Sequence, residues 1–245
     1  MRGVITLKDI FIFERVEKKY RITLEQKHAL LDSIKDNLIP DSHGISTICS
    51  LYLDTPDRLL IRNSIDAKTY KEKLRIRSYG APTIDDRVFL EIKKKFRGIV
   101  YKRRVALPLW QVMEYVNSKN PPIKSQIMSE IDYAMNFYKH PKPSMVIAYE
   151  REAFFAKDDP TVRITFDTGV RFREKDLLLE NGTDGRFILP DDAVIMEIKT
   201  SGAMPMWLSS VLNSSGIFPT SFSKYGTAYR QTITSKGENS DVCNI

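Results

Sequence analysis

Two runs of alternating apolar and ionisable residues, RVFLEIKKKF from Arg87 and IVYKRRVAL from Ile99, meet at Arg97-Gly98. A spacer of that kind suits a tight hairpin, because glycine accepts positive φ. Such a turn sets Lys95 against Val100, Lys93 against Lys102 and Glu91 against Arg104, and opposed residues share a sheet face. Like charges paired across a ladder repel, so this face needs either water or a polyanion against it. Arginine presents a planar fork to phosphoryl oxygens and lysine a point charge. Glutamates among such cations either neutralise their neighbours or hold a hard divalent cation such as Mg²⁺ or Mn²⁺. An ordinary half-buried sheet with a solvated basic face remains the competing reading of the hairpin.

The same alternation recurs along the chain. Arg15, Glu17 and Lys19 share one face of a strand over residues 11–21, and Lys73, Arg75 and Arg77 share one over 71–79. Arg163, Thr165 and Asp167 follow in TVRITFD, with Arg171 and Arg173 continuing after a turn expected at Thr168-Gly169. Glu197 and Lys199 lie opposite Val194, Met196 and Ile198. Glu150-Arg151-Glu152 interrupts the pattern, so spacing alone assigns Arg151 no face.

These strands need elements to position them. Helical spacing predicts helices over 24–36, 109–117, 123–138 and 205–214, the first opened by a capping box at Thr23 and Gln26. Ile45 to Asp54 reads as a strand, and Thr55-Pro56-Asp57 as the start of a short helix. About eight strands joined mostly by short turns favour closure, which removes exposed edges. The expected fold is α+β, mainly β: an eight-stranded antiparallel β-barrel tunnel with a charged interior, coated by helices. Pointing inward, the charged faces would place Lys19, Arg75, Arg77, Lys93, Lys102, Arg104, Arg163 and Arg173 in the tunnel with Glu17, Glu91 and Glu197 among them. Pointing outward, they would leave an apolar core and nothing for the helices to cover.

Composition narrows the partners. In 245 residues, 38 Lys+Arg against 31 Asp+Glu give a net charge of +7, which points to an anion. Two cysteines, Cys49 and Cys243, provide no disulfide framework, and a reducing cytoplasm is expected. No run approaches the roughly 18 apolar residues of a membrane span, so no membrane segment is expected, although a membrane partner stays open. The basic residues alternate along strands without a contiguous patch of stacking aromatics, which argues against nucleic acid. His28, His43 and His140 form no evident triad, and no P-loop occurs. One domain is expected over 1–234, followed by a disordered polar tail over 235–245.

Phe13-Glu14-Arg15 through Lys19-Tyr20, Leu74-Arg75-Ile76-Arg77, Glu91-Ile92-Lys93, Arg163-Ile164-Thr165-Phe166-Asp167, Glu197-Ile198-Lys199 and Ser223-Lys224-Tyr225 occur in this order. The series resembles the VTC domain, the catalytic domain of vacuolar transporter chaperone polyphosphate polymerases and a branch of the triphosphate tunnel metalloenzymes. The resemblance covers roughly residues 10–232. It implies transfer of the γ-phosphoryl group of ATP to a growing polyphosphate chain, from a pyrophosphate or longer acceptor, with Mn²⁺ or Mg²⁺ as cofactor. It further implies that Lys19, Arg75, Arg77, Lys93, Arg163, Arg173 and Lys224 contact phosphates, and Lys102, Arg104, Lys199 and Ser223 are further phosphate-contact candidates. By the resemblance Glu197 would hold the metal; Glu17 and Glu91 are further candidate ligands as carboxylates among cations, and Arg75, Arg77, Lys93 and Glu197 are the expected catalytic residues. Ser221 stands where eukaryotic polymerases tend to have lysine, which keeps a triphosphatase and a non-catalytic polyphosphate-binding subunit as alternatives.

Overall fold

The computed structural model describes residues 16–241, apart from 68 and 98. Phe13, Glu14 and Arg15 therefore lie outside the described residues. In chain order the elements are β1 (Val16–Thr23), α1 (Leu24–Ile34), β2 (Leu38–Pro40), β3 (Ser46–Asp54), α2 (Leu59–Asp66) and β4 (Tyr70–Tyr79). Next come β5 (Arg87–Phe96), β6 (Ile99–Pro108), α3 (Leu109–Ser118), α4 (Gln126–Phe137), β7 (Lys142–Ala156) and β8 (Arg163–Arg173). The described chain ends with β9 (Arg186–Phe187), β10 (Ala193–Thr200), α5 (Met206–Ser214) and α6 (Lys224–Asp241).

One antiparallel sheet carries the fold, in the order β1-β10-β8-β7-β3-β4-β5-β6, with β2 on β7 and β9 on β8. The β5–β6 register matches the sequence expectation: Lys95 faces Val100, Lys93 faces Lys102 and Glu91 faces Arg104. Among the described residues the barrel does not close. The path ends at β1 and β6, which do not pair. Yet Glu17 on β1 comes within 3.9 Å of Lys93 on β5. These strands are six steps apart along the path, which in a flat sheet would be roughly 29 Å at about 4.8 Å per strand. The sheet therefore curls into a deep trough. A closed ladder would set the cations of β6 beside those of β1, and like charges opposite one another oppose that pairing.

Charged sides look into the trough and apolar sides outward beneath helices. Leu74, Ile76, Val88, Leu90, Ile92, Val105 and Leu107 pack with Val112, Tyr115, Val116, Ile131 and Met135 of α3 and α4. On the other flank Tyr20, Ile22, Ile164, Phe166, Val194, Met196 and Ile198 pack with Leu30, Ile34, Leu208 and Leu212 of α1 and α5. The Thr23 hydroxyl accepts from the Gln26 amide while the Gln26 side chain accepts from the Thr23 amide, completing the expected capping box. The apolar strip of the hairpin is only partly covered: Phe96, Ile99 and Tyr101 lie beyond the helices and stay exposed.

Three local expectations change. The helix expected at Thr55 starts at Leu59, because the buried Asp54 carboxylate accepts from the Leu60 and Ile61 amides at 2.8 and 3.1 Å and fixes the first turn there. Thr168-Gly169 is a bulge inside β8, where the register shifts between Ala148 and Glu150 of β7. Gly169 has φ +57, a left-handed conformation that glycine adopts without strain and other side chains disfavour. The segment from Ser235 continues helix α6 to Asp241, anchored by the buried Tyr225, Ala228 and Thr232; residues 242–245 lie outside the described chain. With α2, α6 packs on the trough side of the sheet, against Ile48, Tyr52, Met145 and Ile147.

Candidate functional site: a cationic trough

Period-two alternation on curled strands brings side chains from β1, β3, β4, β5, β6, β7, β8 and β10 to one concave surface. At its floor Glu197 is ringed by cations: Lys19 at 3.4 Å, Lys199 at 3.5 Å, Arg151 at 3.7 Å and Lys224 at 3.9 Å. Burial alone would raise the Glu197 carboxyl, but Lys224, Lys19, Lys199 and Arg151 together hold it well below the ordinary carboxylate range. Glu17 shares two of these lysines, lying 3.6 Å from Lys19 and 3.9 Å from Lys199. Asp167 is fully buried and accepts a bidentate pair from Arg151 at 2.6 and 2.7 Å and a further bond from Lys224. Tyr149 stacks beneath both cations, its ring centre 5.2 Å from the Arg151 guanidinium and 4.4 Å from the Lys224 ammonium.

The opposite wall comes from β4, β5 and β6. Glu91 accepts from Arg75 at 2.7 Å and lies 2.7 Å from Lys102. Burial opposes its ionisation, yet Arg75, Arg77 and Lys102 bring the Glu91 carboxyl down to about 2. Arg77 lies between the Ser50 and Tyr149 hydroxyls at 3.4 and 3.5 Å. Lys73 donates at 3.0 Å to Ser223, whose hydroxyl also accepts from the Gly226 amide at the start of α6. Lys224, the first residue of that helix, is thereby delivered into the trough.

The structure thus gathers Lys19, Arg75, Arg77, Lys93, Lys102, Lys199, Ser223 and Lys224, all expected from sequence. Arg104 and Arg163 share the concave face but sit at its margin, Arg104 over the Phe89 ring and Arg163 bonded to Asp41 at 2.9 Å. Arg173 is not brought in. The Gly169 bulge reverses the side-chain parity, so Arg171 and Arg173 pair with the outward-facing Ala148 and Val146. Arg173 then donates to the carbonyls of Asp176, Leu178, Gly182 and Asp184, fastening a loop. Arg151, Lys73, Asp167 and Tyr149 join the site without having been expected there. Lys73 shares the parity of Arg75 and was legible; Arg151 became placeable only through its register opposite Asp167.

Glu91, held by Arg75 and Lys102, stands apart from the other expected metal ligands. Glu17 and Glu197 are together, and among the described residues no group of three His, Cys, Asp or Glu side chains converges. Two carboxylates are a sufficient protein contribution for Mg²⁺ or Mn²⁺ when phosphate oxygens complete the octahedron. The donor set fits that arrangement.

Crowding of cations has a measurable cost. Burial pushes the Lys73 ammonium down to about 8, assisted by Lys19, Lys93 and Arg75, and burial likewise brings Lys102 to about 8. Lys93 is lowered too, by burial first. Since their folded values lie below 10.5, these lysines disfavour the fold while charged, and that penalty fades as pH rises from about 8 to 10.5. A bound phosphate chain reverses the preference and draws protons in. Tripolyphosphate binding is expected to take up protons near pH 8 and to weaken by up to about tenfold per lysine roughly one pH unit higher. Calorimetric heats that do not vary between buffers of different ionisation enthalpy would contradict this.

A family model for the VTC domain matches residues 14–233. The chain belongs to the VTC domain family. A candidate adenylate cyclase from Bacillus halodurans has the same fold, at 12% identity and a TM-score of 0.53, covering 86% of this chain and 95% of that one. Another, from Vibrio parahaemolyticus, is 12% identical with a TM-score of 0.47, over 88% and 97% of the two chains. No curated protein matches this VTC domain in sequence. Among its described residues no helix is long and apolar enough to cross a membrane.

Proposed function

We propose that this VTC domain is a metal-dependent ATP:polyphosphate phosphotransferase that extends a phosphate chain lying in the trough. The observation that supports it most is the excess of inward cations, from Lys19 and Lys73 to Lys199 and Lys224, over the carboxylates of Glu17, Glu91, Asp167 and Glu197. Two cations about 4 Å apart repel by about 4 kcal/mol at an effective dielectric of 20, and a polyphosphate removes that repulsion.

In the reaction a terminal phosphate oxygen of the acceptor forms a bond to the γ-phosphorus of ATP. The bond from that phosphorus to the β–γ bridging oxygen breaks, and ADP leaves with the electron pair. The attacking oxygen is already anionic, so no general base is required, in keeping with the absence of histidine from the trough. Phosphoryl transfer is accelerated mainly by positioning and charge stabilisation. Arg75 and Arg77 hold the transferring group, Lys93 and Lys102 neutralise charge on the leaving side, and Lys19, Lys199 and Lys224 seat the acceptor chain. Glu197 with Glu17 would hold Mn²⁺ or Mg²⁺, which supplies neutralisation of the phosphate oxygens when bound.

The unpaired edges of β1 and β6 favour a second reading, hydrolysis of a triphosphate, because they leave water a route into the trough. Incubation with ATP, Mn²⁺ and a pyrophosphate primer separates the two. Polymer on a gel is the expected product. ADP and free phosphate alone would make the protein a triphosphatase, and tight polymer binding without turnover would make it a binding subunit.

A further inference from the structure

The end of the β5–β6 hairpin leaves Phe96, Ile99, Val100 and Tyr101 exposed, together with Tyr70 of β4. Tyr70, Phe96 and Ile99 form one cross-strand row, with Tyr101 one position on. Tyr133 and Phe137, on the exposed side of α4, stack on each other and are 68% and 66% exposed, and the Arg103–Glu130 pair ties α4 to the hairpin. Val100 is exposed on the opposite face of the same hairpin end. Lys94 and Arg103 are neutralised by Glu72 and Glu130, each at 3.4 Å. Lys71, Lys95 and Arg97 have no acidic partner among the described residues, and Arg97 lies over the Phe96 ring at 5.3 Å.

We propose that this hairpin end and the adjoining face of α4 dock on an anionic lipid surface. Three features select that partner. The tip carries its aromatics on one face and Lys71 and Lys95, flanking Val100, on the other, so a flat protein surface would cover one face and strand the other, whereas a lipid interface with acidic headgroups receives both. Tyrosine and phenylalanine flanked by Lys and Arg is the composition that settles at a membrane interface with acidic headgroups. A second copy meeting the same patch would oppose Lys95 and Arg97 with themselves, and an added acidic strand would pair with the β6 edge while leaving the aromatics bare.

Co-sedimentation with phosphatidylcholine vesicles, with and without phosphatidylserine, tests this. Binding is expected to the phosphatidylserine vesicles and to persist in saturating tripolyphosphate, which occupies the trough. Lys95→Ala with Arg97→Ala weakens it roughly 25-fold, about fivefold per cation. Phe96→Ser with Ile99→Ser weakens it by at least about tenfold and leaves tripolyphosphate affinity unchanged, which shows that the fold and the trough survive. The proposal is overturned if wild type ignores acidic vesicles at low salt, if tripolyphosphate abolishes the binding, or if the serine variant binds normally. Loss of self-association in the serine variant, without any vesicle binding in wild type, would likewise overturn it and mark a protein interface.

Discussion

Glu197→Gln is expected to lower metal-dependent turnover at least about a hundredfold while tripolyphosphate binding is kept or strengthened. Groups that only orient a metal ligand already cost about 10- to 100-fold when removed, and a ligand should cost no less. Glutamine keeps the shape and a carbonyl acceptor, but not the charge that faces Lys19, Lys199, Arg151 and Lys224. Removing one negative charge from a cationic surface favours an anionic chain, so binding and turnover move in opposite directions. Product formation with Mn²⁺, set beside calorimetry with tripolyphosphate, measures both. Turnover equal to wild type would remove Glu197 from the proposed chemistry.

Asp167→Ala is expected to cost about 3–5 kcal/mol, the usual penalty for breaking a buried ion pair from one side. At about 2–4 °C per kcal/mol for a chain of this size, the melting temperature falls by roughly 10 °C. The reason lies in the geometry: Asp167 is wholly buried, and its loss takes the nearest acidic partner from Arg151 and Lys224, themselves only 16% and 10% exposed, and leaves them Glu197 at 3.7 and 3.9 Å. Burial works against the Asp167 carboxylate, yet Lys224 and Arg151 hold its ionisation below the ordinary range. Its contribution is therefore full above the unfolded value near 3.9 and is lost as pH falls through the lower folded value. Asp167→Asn removes the same charge from beside Arg151 and Lys224 without opening a cavity, so it should lose nearly as much. A drop of under about 2 °C for either variant would contradict the assignment.

How far the sequence led depends on how local the determining contact is. The β5–β6 register follows from a short turn and alternation, whereas the four amphipathic helices argued for the charged-in, greasy-out choice without deciding it. Thr23 and Gln26 announced α1 because a capping box is complete within four residues. Arg173 was misplaced because a single bulge reverses parity, and a Thr-Gly pair reads the same whether it turns a chain or kinks a strand. Arg151 could not be placed because its face is set by pairing with β8. Helix α6 escaped notice because its polar composition hides the few residues that anchor it, Tyr225 stacked on Tyr52 among them. Closure was expected because strand counting takes no account of the like charges that would meet at the seam.

Calorimetric titration of tripolyphosphate into wild type, an Arg75→Ala/Arg77→Ala variant and an Arg171→Ala/Arg173→Ala variant separates the two faces of the sheet. With hydrogen bonds to charged groups worth about 1.5–3 kcal/mol each, loss of the inward pair should weaken binding at least about a hundredfold. The outward pair, engaged with Glu150 and loop carbonyls, should leave affinity within about twofold of wild type. Equal losses in both variants, or no binding by wild type at low salt, would mean that phosphate chains are not held in the trough.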